Sequence, residues 1–179
     1  MAFPPLQVLR VLPRIRALIL DVDGILTDGT LLYGNNGEEM KSFHVRDGHG
    51  LALLRRSGFP VGIISGRKGI ATEHRLAELG ISDYFLGIRE KKEAFRTLLD
   101  RWNLSAEQVA VMGDDVTDLE LLRSAGLSIT VPDAHPSVLA SANLITETPG
   151  GKGAVRQIAD LLLFTLKKGR PPGKEDFLC

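Results

Sequence analysis

Asp21 and Asp23 stand two positions apart, directly after the apolar run Ala17–Leu20, and Gly24 follows them. In an extended segment two residues at this spacing project to the same side, and a glycine lets the chain turn at once. One carboxylate can then attack an electrophile while the other moves a proton. A second acidic group, Asp114 and Asp115 with Asp118 close behind, follows the apolar run Val109–Met112 and Gly113. An isolated Asp-X-Asp is usually a turn feature, and Asp114-Asp115 alone could simply cap the next helix. Two such groups, each at the end of a buried-type run, point instead to one shared site.

A phosphate ester is already anionic, so a carboxylate nucleophile needs a cation to bridge it to the phosphoryl oxygens. Mg²⁺ suits this, because it takes oxygen ligands, keeps several waters and needs only one or two carboxylates and a carbonyl from the protein. The expected ligands are Asp21, the backbone carbonyl of Asp23, and Asp114, with Asp115 or Asp118 holding coordinated waters. Donors and positive charge must also hold the transferring group. Ser65 and Gly66 end the run Val61–Ile64, where a hydroxyl and an amide can face an anion, although Ser65 could equally cap a helix. Lys91 begins a helical pattern, where the macrodipole disfavours a cation unless an anion is near. Its neighbour Lys92 is not separated from it by the physical argument.

The elements that must position these groups alternate between apolar runs and helical patterns, the signature of a parallel sheet with crossover helices. Strands are expected at Ala17–Leu20, Val61–Ile64, Tyr84–Gly87, Val109–Met112, Leu127–Val131 and Asn143–Ile145. Helices are expected from about Leu51 to Gly58, over Arg67–Leu79, Lys91–Trp102, Val116–Ala125 and Ser137–Ala142, and after Gly153 to about Lys168. Gly34-Asn35-Asn36-Gly37 between two short runs predicts a β-hairpin over residues 30–43. Ser105 and Gln108 form a capping-box pattern. Ligands of doubly wound sheets bind beyond the carboxyl ends of the strands, which is where every suspicious polar residue falls.

The 179 residues fit one domain better than two, with a loose tail over residues 169–179 around Pro171-Pro172-Gly173. Lys plus Arg and Asp plus Glu each number 22, so no broad nucleic-acid or anionic-membrane surface is expected. No apolar run approaches the roughly 20 residues that span a bilayer. Arg10, Arg14 and Arg16 interrupt any secretion-signal core, and the only cysteine is Cys179, which excludes an internal disulfide. A reducing cytoplasm is the expected setting.

In order and spacing, Asp21-Val-Asp-Gly-Ile-Leu-Thr-Asp-Gly29, Ser65-Gly-Arg67, Lys91 and Gly113-Asp-Asp-Val-Thr-Asp118 resemble the four motifs of the haloacid dehalogenase superfamily. The segments Gly34–Glu39, Val45–Gly48, Ile64–Lys68, Asp133–Pro136 and Gly150–Arg156 narrow the resemblance to its capless branch of phosphatases acting on the 8-phosphate of an eight-carbon 2-keto sugar acid. The resemblance covers roughly residues 15–165. It implies an α/β, doubly wound, mainly parallel Rossmann-like sheet in which the small hairpin stands in for a cap domain.

By the same resemblance, Asp21 is the nucleophile, Asp23 the general acid and base, Thr27 a supporting residue near the phosphate, Ser65 and Lys91 the phosphate binders, and Asp114 a Mg²⁺ ligand. It also implies a homotetramer in which a neighbouring subunit covers each site, a role in lipopolysaccharide precursor biosynthesis, and His44, Arg46, Arg67 and Lys152 near the sugar. Three other readings remain to be separated: the same chemistry on a nine-carbon 9-phosphate or on many sugar phosphates, a phosphoacceptor signalling domain, and a catalytically retired binding module. Asp23 argues against the second, since an acid-base group beside the acceptor favours rapid dephosphorylation. The intact set of motif carboxylates and lysine argues against the third.

Overall fold

The computed structural model describes residues 4–170. Six parallel strands form the main sheet: β1 (Ala17–Leu20), β4 (Val61–Ser65), β5 (Tyr84–Leu86), β6 (Val109–Met112), β7 (Leu127–Thr130) and β8 (Leu144–Ile145). Their spatial order is β5-β4-β1-β6-β7-β8. The chain therefore builds outward from β1 in one direction and then restarts beside it with β6. The crevice of such a sheet opens where the order reverses, between β1 and β6, the two strands that end in the acidic motifs. Every residue of β1, β4, β6 and β7 is buried, as expected of parallel strands covered on both faces.

The other elements are α1 (Leu6–Val11), α2 (Val45–Arg56), α3 (Ile70–Leu79), α4 (Lys91–Trp102), α5 (Leu119–Ser124), α6 (Pro136–Leu139), α7 (Ala154–Lys168) and a ribbon of β2 (Leu32–Tyr33) and β3 (Glu39–Met40). No described helix is long and apolar enough to cross a membrane. The capping box at Ser105 and Gln108 forms. Residues 171–179, most of the expected loose tail, lie outside the described residues.

Several boundaries differ from the expected ones for physical reasons. The helix expected from Leu51 begins six residues earlier, at Val45, because Gly48 and Gly50 are used for close packing. A Cβ on Gly50 would sit 2.9 Å from the Ala159 Cβ of α7. Asp47 in the same turn is buried, and its carboxylate accepts from the amides of Gly153 (3.2 Å) and Arg156 (2.7 Å), capping the start of α7. The helix expected from Arg67 starts only at Ile70, which leaves Arg67 on a loop. The expected helix over Val116–Ala125 opens as a 3-10 turn, Val116–Asp118, before α5. Helix α1 was not expected at all, since flanking prolines at positions 4, 5 and 13 mask its short pattern.

The hairpin forms where Asn-Gly predicted it, but only Leu32 with Met40 and Tyr33 with Glu39 pair. A two-stranded ribbon is marginal by itself, so side chains must dock it to the body. Phe43 packs against the core at its base, and Arg75 lies over the Phe43 ring at 5.9 Å.

Substituting Gly50 by Ala in an ordinary helix raises stability by about 1 kcal/mol. Here the crowding against Ala159 reverses the sign, and Gly50→Ala is expected to destabilise the protein by about 1–2 kcal/mol. Chemical denaturation of the variant measures this, and a stabilised Gly50→Ala protein would contradict the packing argument.

Candidate active site

β1 delivers Asp21 to the sheet edge, its amide still donating to Met112 O of β6 at 2.9 Å. Beyond it the chain winds tightly, with the amides of Ile25, Leu26 and Thr27 all donating to Val22 O. Gly24 permits this bend at φ +83 and also clears space: a Cβ there would lie 1.9 Å from Asp114 Oδ2. Gly113 does the same for the second motif, where a Cβ would meet the Asp118 Cβ at 2.5 Å. Gly24 thus lets the two acidic loops approach each other, and Gly113 lets the second loop fold tightly onto Asp118.

Ligand oxygens of Asp21, Asp114 and Asp118 lie within 4.8 Å of one another. Lys91, at the start of α4, donates to Asp21 Oδ1 at 2.8 Å and to Asp118 Oδ1 at 2.6 Å, and is itself buried. Asp118 Oδ2 accepts from the amides of Asp114 (3.2 Å) and Asp115 (3.3 Å), so this carboxylate clamps its own loop while anchoring the lysine. Asp115 turns to accept from Val116 N at 2.7 Å. Within the cluster of Asp21, Asp114, Asp115 and Asp118, Asp114 keeps a buried oxygen, Oδ1, that has no hydrogen-bond partner.

Electrostatics express the same incompleteness. Burial, then the charges of Asp21, Asp118 and Asp115, push Asp114 up to about 7. Burial and the Asp118 charge raise Asp21 to about 6, against the pull of Lys91. Burial alone would lower Lys91, but Asp21 and Asp118 outweigh it and hold the ammonium above its ordinary value. A divalent cation with oxygen preference fits this donor set: it would satisfy the orphaned Asp114 oxygen and neutralise the excess charge.

These groups open into a cavity of about 570 Å³. Of the residues singled out in the sequence, Asp21, Asp23, Ser65, Gly66, Arg67, Lys91, Asp114 and Asp115 line it. The remainder sit elsewhere in the single chain. Thr27 is buried beneath the loop, its hydroxyl 3.4 Å from Val22 O and accepting from Gly29 N at 3.3 Å. His44 precedes the first turn of α2 without capping it through its side chain, Arg46 is exposed outside the lining, and Lys152 pairs with Asp28 at 3.0 Å on an exposed rim. Of the open pair of lysines, Lys91 faces the cluster and Lys92 bonds Glu120 on the surface.

The Gly-rich segment around Lys152 braces the nucleophile loop through its backbone. Gly151 N donates to Ile25 O at 3.0 Å, and a Cβ on Gly150 would fall 1.7 Å from Gly24 O. Sequence reasoning missed Lys41, Arg89 and Thr117. Lys41 donates to Asp23 Oδ1 at 2.5 Å, and Arg89 and Thr117 line the cavity. Alternation along β3 was the available signal for Lys41, since it shares a face with Glu39 and opposes the exposed Met40.

Because folding raises the Asp114 pKa from 3.8 to about 7, the folded chain binds this proton more tightly than the unfolded chain. Its contribution is fully present below the unfolded value and is lost as pH rises to about 7. Metal-free Asp114→Asn protein should therefore be more stable than the parent at pH 8, by about 1–3 kcal/mol after allowance for solvent screening, and little different at pH 4. Millimolar Mg²⁺ at pH 8 should raise the melting temperature of the parent and not of the variant. Thermal melts at both pH values, with and without Mg²⁺, check this, and an equal Mg²⁺ response in the variant would remove Asp114 from the cation site.

A family model described as haloacid dehalogenase-like hydrolase matches residues 87–158. The chain is 47% identical over 154 residues to the 3-deoxy-D-manno-octulosonate 8-phosphate phosphatase of Escherichia coli K12, covering 86% of this chain and 82% of that protein. The crystal structure of the phosphatase of that name from Yersinia pestis superposes with a TM-score of 0.88 at 41% identity, over 92% of this chain and 90% of the other. The Moraxella catarrhalis phosphatase of that name, in complex with a magnesium ion, a phosphate ion and the sugar acid KDO, superposes with a TM-score of 0.85 at 37% identity, over 88% and 91%. With identity at this level across most of its length, and with its acidic loops meeting at the reversal point of the sheet, the chain belongs to the haloacid dehalogenase-like hydrolases.

Proposed function

We propose that this chain is a Mg²⁺-dependent phosphomonoesterase that hydrolyses 3-deoxy-D-manno-octulosonate 8-phosphate to the free sugar acid and phosphate. The observation that carries the reading is the convergence of Asp21, Asp114 and Lys91 beside Asp23 in one cavity, in a chain whose relatives bear the name of that activity. Bound by Asp21, the Asp23 carbonyl and Asp114, Mg²⁺ would supply positive charge to the nucleophile and to the phosphoryl oxygens.

The protein's own groups account for the rest. An Asp21 oxygen attacks phosphorus, forming an acyl phosphate as the ester P–O bond breaks, and Asp23 gives its proton to the departing alkoxide. Asp23 then takes a proton from water, whose oxygen attacks phosphorus and releases Asp21. Lys91 holds Asp21 in place and faces the transferring group together with Ser65 and Gly66, at the end of β4. Arg67, 43% exposed in its side chain, stands at the cavity mouth where a sugar carboxylate or hydroxyl would enter.

The proposal extends to a single-domain protomer within a cytoplasmic homotetramer that supplies a lipopolysaccharide precursor. Leu32, Tyr33, Met40 and Ile70 are exposed on and beside the hairpin, apolar area of the kind that subunits bury. A neighbouring subunit docked there would close an open cavity and bring His44, Arg46 or Lys152 of one chain toward the sugar of another.

Phosphate release from a panel of sugar phosphates, with and without Mg²⁺, tests the reading. Asp21→Asn should release no phosphate above background, and Asp23→Asn should lose about 10²–10⁴ in rate. The eight-carbon 8-phosphate should give a higher kcat/KM than a nine-carbon 9-phosphate. An active Asp21→Asn protein would remove the mechanism, and a preference for the longer acid would remove the substrate.

A further inference from the structure

Outside the acidic cluster, a second set of charges meets the cavity from the hairpin side. Lys41 follows β3, and its side chain is only 1% exposed. Burying an ammonium costs several kcal/mol unless anions surround it. Two do: Asp23 Oδ1 at 2.5 Å and Glu39 Oε1 at 3.5 Å. Glu39 in turn accepts from Arg67 at 2.6 Å, Arg67 also donates to the Tyr33 hydroxyl at 3.1 Å, and its Nε stands 3.7 Å from Asp23 Oδ2. The hairpin residues Tyr33, Glu39 and Lys41 are thus joined to the body of the protein through Asp23 and Arg67.

The two oxygens of Asp23 are treated differently. Oδ1 is engaged by Lys41, while Oδ2 is buried and has no hydrogen-bond partner. A carboxyl that must carry a proton to a leaving group needs one oxygen held and the other available in a fixed direction.

We infer that Lys41 is a positioning residue for proton transfer: docking of the hairpin seats its ammonium on Asp23 Oδ1, which fixes the carboxyl plane and leaves Oδ2 to exchange the proton. The inference rests on the phosphatase reading and assigns to the hairpin a part in the chemistry besides covering the site. In the first half-reaction the Oδ2–H bond breaks and the proton goes to the ester oxygen, which keeps the electron pair of the broken P–O bond. In the second, a water O–H bond breaks, its proton returns to Oδ2, the water oxygen bonds to phosphorus and the Asp21–P bond breaks. Lys41 keeps all its protons throughout.

Lys41→Met keeps the aliphatic stem and removes the charge, and Lys41→Arg restores a cation. The comparison is kcat/KM for an alkyl ester, 3-deoxy-D-manno-octulosonate 8-phosphate, against p-nitrophenyl phosphate, whose leaving group departs without a proton. Lys41→Met should lose about 10–100-fold on the alkyl ester and less than about threefold on the aryl ester, as expected when only the general-acid contribution is damaged. Lys41→Arg should recover most of the loss. Equal losses on both esters would make Lys41 merely structural, and a raised KM with unchanged kcat on the sugar would make it a substrate ligand. Full activity would leave it without a role. Each of these three outcomes overturns the inference while an inactive Asp21→Asn control upholds the phosphatase reading. If the parent hydrolyses neither ester, that reading fails and the inference falls with it. Should Lys41→Met not fold, as judged by its thermal melt, Lys41→Gln carries the same comparison.

Discussion

Asp21, Asp114 and Asp118 bring three carboxylates within 4.8 Å of one another, and the ammonium buried against them, Lys91, balances one of the three charges. At an effective dielectric constant near 20, two like charges at this separation repel by about 3–4 kcal/mol. A chain free to relax would move them apart. The structure prevents that by ordinary means: Asp118 is tied by two backbone amides, Asp21 continues a buried parallel ladder, Gly24 leaves out the side-chain atom that would wedge the loops apart at Asp114, and Gly113 leaves room for Asp118 within its own loop. What remains is a site whose charge is completed only by a cation and a substrate from outside. The raised values of Asp21 and Asp114 are the measurable trace of that constraint.

The sheet order makes the constraint attainable. Asp21 and Asp114 are 93 positions apart, yet β1 and β6 are adjacent and in register, Leu20 beside Met112, so the two motifs leave neighbouring strands at the same level. Lys91 comes from the far side of the sheet, where β5 returns the chain to the start of α4. Placing a lysine in the first turn of a helix sets it against the macrodipole, a local disadvantage that two carboxylates outweigh. Local preference and global fold disagree at this position, as they commonly do where a protein holds charge for chemistry.

How much of this could be read from residues alone follows the same division. The parallel strands were legible because burial on both faces leaves an unbroken apolar run, and the acidic motifs because each follows such a run directly. The start of α2 was not, since Gly48 and Gly50 lower helix propensity and the packing of α2 on α7 that requires them is a tertiary fact. The resemblance placed Thr27 and Lys152 at the ligand; in the single chain Thr27 and Gly151 bond backbone atoms of the nucleophile loop, while Lys152 pairs with Asp28 and Gly153 N with the Asp47 carboxylate. Spacing identifies which groups can meet at a strand edge. It does not tell a side chain that faces the cavity from one that holds the loop beneath it.

Lys41 marks the clearest limit of sequence reading, and it changes how the hairpin is understood. Two paired residues per strand cannot hold a ribbon in place by backbone hydrogen bonds. Its attachment to the body includes an alternating chain of charge, Lys41 to Asp23 and Glu39, Glu39 to Arg67, Arg67 back toward Asp23. The contacts that dock the hairpin are therefore contacts to the residue proposed to move the proton. A larger cap domain can close over a site by its own packing and leave the reacting groups untouched. A hairpin this small lacks that independence, so covering the site and orienting its acid-base group become parts of a single electrostatic event.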